Sequence, residues 1–485
     1  MSSPTLTSLR AEVRLEAQPE GEEARLDRSA RRRFLVLGDF SGRESRGGPV
    51  ADRLAEDRVP LPIDAEDLDA VLARIAPELL LPLPEATAVL RPRCLDDFHP
   101  DRLFLREPVF ADLRRLRADT DAEGERPDDS PAPPESPAES RGARPDDAAL
   151  SLDELLEGGR PPGGRTADRD LDDFLEEVVR PHAVPAESPE RARRAARVEE
   201  RIADRMRRVL HARGFQALES AWRGVDLLLR RLAGGDGVSV EILDVTKEEL
   251  ARDLKNAPRI EESGLHRILA GSPGAAARPW RAVAMLYEFA ASVEDVALLA
   301  RLGRIASSAG AFFVGDAAPA LLGTDRRDAA PDPRRLAGRP GQASEELWSA
   351  LRSMPEAQRL GLAWPRFLLR LPYGERTDPT ERFPFEEIEI EGAPSHEEYL
   401  WGSPSLLCLL AVSERGPVAD LPLHVFERDG ETRTQPSAET LLPSSAIEGM
   451  IDRGIMPVVA LPDRDAVVIP RLQSIADPPT PLGLR

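Results

Sequence analysis

Residues 119–169 offer a packed interior almost nothing to bury. The run "DTDAEGERPDDSPAPPESPAESRGARPDDAA" is mostly Pro, Ser, Asp and Glu with scattered Arg and small residues. Fixing one residue's backbone costs about 1–2 kcal/mol, and this composition has too little apolar surface to offset that. The stretch therefore reads as a disordered, acidic, Pro-rich linker. Any folding must come from the blocks on either side, 1–118 and 170–485, so the chain reads as two α/β modules joined by that linker. The islands "LSLDELL" and "LDDFLEEVV", in or beside it, read as weak helices or as docking helices for a partner.

The first block switches periodicity several times. "AEVRLEA" alternates as a half-buried strand, and "RFLVLG" is a continuous apolar run of the kind a buried strand needs. In "PLPIDAEDLDAVLARIAPEL", Asp64 is a candidate N-cap, and Leu68, Val71, Leu72, Ile75 and Leu79 share one helical face. "TAVLRPRCL" then reads as a strand and "VFADLRRLRA" as a helix.

The second block opens with helical spacing. Val198, Ile202, Met206 and Val209 form one stripe, and Phe215, Leu218, Trp222, Val225, Leu229 and Leu232 form another after an interruption at Gly214. "GGDG" is a turn, "VSVEILDV" a strand, and Thr246 with Glu249 a capping box for the next helix. "AVAMLYEF", "VEDVALLARLGRIASSAG" and "AFFVG" continue the alternation, which predicts a mostly parallel sheet with covering helices.

Charge and cysteine usage narrow the partners. A formal net charge of −21 repels nucleic acid and anionic lipid unless a basic patch gathers somewhere, and the Arg residues are instead spread among acids. Cys94 and Cys408 are too few and too far apart for a disulfide framework and suit a reducing compartment. The N-terminus lacks a signal-peptide layout, and the longest apolar run, "SLLCLLAV", is far short of a membrane span. The expectation is a cytoplasmic protein without nucleic acid or membrane insertion.

No motif assembles catalytic chemistry. "GDFSGRES" after the Leu35–Leu37 run begins like a phosphate loop, but its second glycine comes one position early and no lysine follows. An α/β nucleotide-binding enzyme built on Gly38 is thus the least supported reading. "SHEEYLWG" has Leu400 where a zinc-binding H-E-x-x-H requires histidine. "CLDDFHPD" gathers Cys94, Asp96, Asp97, His99 and Asp101 without a ligand spacing, and His182, His211, His266 and His424 are scattered singly. No catalytic, metal or cofactor residue is assigned. The candidate assembly or core-defining positions are Trp222 and Arg223 in the second stripe, Arg366, Arg370 and Tyr373 in "WPRFLLRLPYGERTDP", and Trp401 in "EEYLWG". The arginines pair with carboxylates within the fold or on a neighbouring subunit.

Two sets of stretches carry a family likeness. "FLVLGDFSGR", "PLPIDAEDLDAVLARIAPEL" and "CLDDFHPDRLF" resemble, in order, the small subunit of the type VI secretion contractile sheath. "FQALESAWRGVDLLL", "VEILDVTKEEL", "WPRFLLRLPYGERTDP", "EEYLWG" and "DLPLHVFE" resemble its large subunit. The resemblance spans 30–118 and 195–485. It implies a small-subunit module fused to a large-subunit module truncated at its C-terminus, with no enzymatic activity. The implied partners are other sheath subunits, the inner tube protein, baseplate components and an AAA+ disassembly unfoldase, with assembly by strand exchange around the tube. A non-polymerising adaptor on the sheath or baseplate is the alternative. The sequence departs from the family pattern at Met285 and Leu286, and between "CLLAVSE" and "VADLPLH".

Overall fold

The computed structural model describes residues 32–48, 50–55, 58–125, 189–232, 237–271, 279–336, 342–388, 395–413, 420–422, 427–428, 431–432, 437–461 and 466–483. The stretches "AEVRLEA", "LSLDELL" and "LDDFLEEVV", and most of "GGDG", fall outside these residues.

Strand β1 (Arg32–Gly38) explains its own composition. Phe34, Leu35, Val36 and Leu37 are all fully buried, because helices cover both faces of the sheet around it. Side chains alternate across a strand. Phe34 and Val36 accordingly enter one core and Leu35 and Leu37 the other.

The partners of β1 come from the far block. It runs parallel to β5 (Val238–Asp244) on one side, with Phe34 opposite Val240, and to β6 (Trp280–Phe289) on the other, with Val36 opposite Ala284. Beyond β6 lie β7 (Phe312–Ala317), β8 (Leu360–Trp364) and β11 (Ile455–Pro457), all parallel. Beyond β5 lies β2 (Leu61–Ile63), the antiparallel edge. The fold is α/β, as expected. The described parts of both blocks contribute to one seven-stranded sheet, β1 and β2 from 1–118 and the other five strands from 170–485. Strand β1 thus lies between β5 and β6.

The cores mix the blocks in the same way. On one face, Phe40, Leu72, Phe98 and Phe110 of the first block pack with Ile202, Met206 and Trp222 of the second. On the other, Leu54 joins Leu243, Trp280 and Leu299. Helix α2 (Leu68–Ile75) forms as predicted, though Leu79 leaves its face for the hairpin β3 (Leu79–Pro82) and β4 (Thr87–Leu90). Asp64 accepts from the amides of Glu66 and Asp67, both at 3.0 Å, so it shapes the turn into α2 and the cap position falls to Asp67.

After α1 (Arg43–Arg46), α2 and α3 (Pro100–Arg106), helix α4 (Ala111–Glu125) continues through Asp119–Glu125, inside the segment read as linker. It packs antiparallel on α5 (Pro189–Leu210). Arg205 pairs with Asp112 at 2.6 Å and Arg117 with Glu199 at 2.9 Å, so Glu125 and Pro189 lie at the same end of the pair. Helix α6 (Arg213–Leu232) follows, and the capping box of Thr246 and Glu249 starts α7 (Lys247–Asn256) with both reciprocal bonds made. Helix α8 (Gly264–Gly271), α9 (Val293–Ala309) and α10 (Pro404–Ser413) complete the layers named here. Every residue of α10 is buried, which accounts for the unbroken apolar run "LLCLLAV". It approaches α6 so closely that a Cβ on Gly224 would stand 2.5 Å from Leu406 Cδ1.

Candidate functional site

The loop after β1 is occupied by the chain's own carboxylates. Asp39 accepts from the backbone amides of Arg43 at 2.9 Å and Glu44 at 2.8 Å, the donors that a phosphate at this position would need. Arg43 in turn pairs with Asp244 at 2.7 Å and Glu249 at 3.0 Å. Gly42 has a left-handed backbone (φ +70°), where a Cβ would stand 2.7 Å from Leu79. The loop therefore fastens the first block to β5 and α7.

Arg370, at the end of β9 (Phe367–Arg370), lies in a buried ion-pair network. It meets Glu219 of α6 at 2.9 Å and Glu387 at 2.7 Å. Arg223 joins Glu219 at 2.7 Å and donates to the Tyr373 hydroxyl at 3.0 Å, while the Tyr373 amide donates to Glu387 at 2.8 Å. Burial alone would raise the Glu219 carboxyl, but Arg370 and Arg223 outweigh it and hold the group below its ordinary value. Burial pushes the Tyr373 phenol up to about 12, against the opposing pull of the two arginines. Close by, burial lowers the His211 imidazole although Glu387 favours its charged form.

Residues 371–388 reach from this network to the first block. The Asp101 carboxylate accepts from the amides of Glu381 at 2.9 Å and Arg382 at 3.1 Å, and Arg117 donates to the Arg382 carbonyl at 2.6 Å. The rings of Phe104 and Phe383 lie 5.1 Å apart, and those of His99 and Tyr373 4.9 Å.

Of the six candidate positions, Arg223, Arg370 and Tyr373 come together in the network. Arg366 stands apart in a bidentate pair with Glu439, at 2.8 and 2.5 Å. Trp401, in β10 (Leu400–Gly402), donates to the His396 carbonyl at 2.6 Å. Trp222 is fully buried and touches Phe40 of the first block. Sequence reasoning missed the carboxylates Glu219, Glu387 and Glu439. Glu219 had a signal, since it lies four residues before Arg223 on one helix. Glu387 and Glu439 lie in irregular segments whose pairing no local pattern reveals.

A cleft of about 460 Å³ opens beside the network, with Asp316, Glu288, Arg327, Arg366, Tyr399 and Trp401 among its walls. Asp316 is the penultimate residue of β7, and its Oδ1 accepts from the Ser403 hydroxyl at 2.6 Å and the Ser405 amide at 3.3 Å. Burial, reinforced by Glu288, raises its carboxyl to about 7 despite the Ser403 bond.

The partial metal motifs have other partners. His396 sits on a single 3₁₀ turn, and Leu400 is already in β10. Asp97 accepts from the amides of Arg93 and Cys94 and pairs with Arg106 at 2.7 Å. Among the described residues, no group of three or more His, Cys, Asp or Glu side chains is placed to hold a metal, and no helix is long and apolar enough to cross a membrane.

Against this geometry, the family described as "VipB: EvpB/VC_A0108, tail sheath N-terminal domain" matches residues 192–476, more than half of the chain. The chain belongs to this tail-sheath family. Among curated proteins, the type VI secretion system sheath protein TssC1 of Pseudomonas aeruginosa is 28% identical over 293 residues, covering 56% of this chain and 58% of TssC1. The chain thus spans less than two thirds of that relative. The tail-sheath match contains β5 to β8, α6 and the whole ion-pair network. It does not contain β1, the interior strand between β5 and β6.

Proposed function

We propose that this chain is a structural subunit of a type VI secretion contractile sheath, carrying a small-subunit module and a large-subunit module in one polypeptide. The observation behind this reading is β1. Between two strands of the tail-sheath domain, β5 and β6, lies a strand from outside the matched residues, and the first block that supplies it resembles the small subunit. On this reading the chain acts in the cytoplasm by packing and strand exchange with further sheath subunits around an inner tube. Baseplate components and a disassembly unfoldase are its other partners. Its work is assembly and rearrangement between packed states rather than catalysis.

Electron microscopy of the purified chain, alone and mixed with standard sheath subunits, tests the reading. Tubes, or incorporation into tubes, are the expected result. A complex of fixed size that binds one sheath or baseplate component and never extends would replace the polymer with an adaptor.

A further inference from the structure

We propose that the cleft at the carboxyl ends of β6 and β7 receives an arginine side chain, with the Asp316 carboxylate as its anion and Tyr399 and Trp401 as its aromatic wall. The inference rests on reading the chain as an assembling subunit, and the arginine is carried by a second copy.

The cleft lies where α/β sheets commonly hold ligands, outside the carboxyl ends of parallel strands. Three carboxylates line it, and they are not equivalent. Glu288 is engaged bidentately by Arg327, at 2.5 and 2.9 Å, and Glu397 is exposed at the rim. Asp316 is enclosed, yet it forms no ion pair among the described residues. Both bonds it accepts fall on Oδ1, leaving Oδ2 to the cleft.

The wall cations do not favour an anion instead. Arg327 is held by Glu288 and Arg366 by Glu439, which leaves Arg213, exposed at the rim. The rings of Tyr399 and Trp401, 5.7 Å apart, add faces that attract a cation. A guanidinium suits the pocket because its planar fork can meet a carboxylate while its face stacks on an aromatic ring. A second copy offers this group abundantly, since only Lys247 and Lys255 among its basic residues are lysines.

The carboxyl of Asp316 loses its proton near pH 7, facing Glu288 of β6, Arg366, and Cys408 of α10, with Arg327 and His211 elsewhere on the wall. A guanidinium therefore meets its charged partner more fully at pH 8 than at pH 6.

The test titrates the full chain with N-acetyl-arginine methylamide and with the norleucine and glutamate analogues, following thermal stability. Only the arginine probe should saturate, with affinity about tenfold higher at pH 8 than at pH 6, from the ionised fractions of a group near 7. Asp316→Asn should abolish the response, and Tyr399→Leu should weaken it if the first variant folds poorly. Equal responses to all three probes, or a response that survives Asp316→Asn, would overturn the site. Microscopy of folded Asp316→Asn then identifies the source. Lost assembly supports a second copy, and intact assembly contradicts that part of the proposal. Failure of the wild-type chain to assemble would count against the sheath reading, whatever the probes show.

Discussion

Trp222 of α6 donates its indole N–H to the main-chain carbonyl of Phe40 at 3.1 Å, and the two rings meet edge to face at 5.3 Å. This one contact joins helix α6 of the tail-sheath domain to the loop that follows β1. Trp222→Ala should cost about 3–5 kcal/mol, as for other large-to-small core changes. Trp222→Phe should recover most of the packing but leave the carbonyl without its donor. Denaturant unfolding measures both, and full stability in the alanine variant would show that the residue is not core.

Cutting the chain within residues 126–188 should leave two pieces that stay together. Phe34 to Leu37 are each worth about 1.5–3 kcal/mol in full burial, and all four would have to leave the sheet for the pieces to part. A protease site placed there and size-exclusion chromatography after cleavage give the answer. Separation of the fragments would show that the two blocks hold together only through the connecting segment.

Replacing residues 126–188 with a short loop should leave the melting temperature nearly unchanged. The ion pairs Arg205–Asp112 and Arg117–Glu199 bring Glu125 and Pro189 to the same end of a helix pair. Connections of about 2–8 residues commonly close such pairs. A large fall in melting temperature would mean that the segment supports the fold.

Arg370→Met should be severe because it leaves Glu219 and Glu387 buried without their shared cation. Breaking one side of a buried pair costs about 3–5 kcal/mol. Adding Glu219→Gln and Glu387→Gln removes the stranded charges and should return much of the loss. If the triple variant is less stable than the single one, the network is not an electrostatic unit.

Much of the fold was legible because it follows local rules. Period-3.6 stripes located α5 and α6, the reciprocal pair Thr246 and Glu249 marked the start of α7, and the apolar run Phe34–Leu37 announced a strand covered on both sides. The neighbours of that strand were not legible. Parallel pairing leaves no short-range signature, so nothing near Phe34 pointed to Val240 or Ala282. For the same reason the arginines of the candidate site were visible while Glu387 and Glu439 were not. The composition of 119–169 gave no sign that the blocks on either side share a sheet.

Asp316 makes stability fall as pH rises. Its carboxyl has an ordinary value of 3.8 and titrates near 7 in the fold, so between these values the folded state holds a proton that the unfolded state has released. Its contribution is fully present below about pH 4 and is lost as pH climbs through 7. Asp316→Asn should flatten that part of the profile in melting curves taken across pH 4–8. An unchanged slope would place the titration on another group.

The central claim is that the first block supplies an interior strand of the tail-sheath sheet, lying between β5 and β6, and hydrogen exchange on the full chain measures it most directly. The amides of Phe34 to Gly38 should exchange as slowly as those of β5 and β6, at the rate of global unfolding. Exchange in β1 that is clearly faster than in both flanking strands would contradict it.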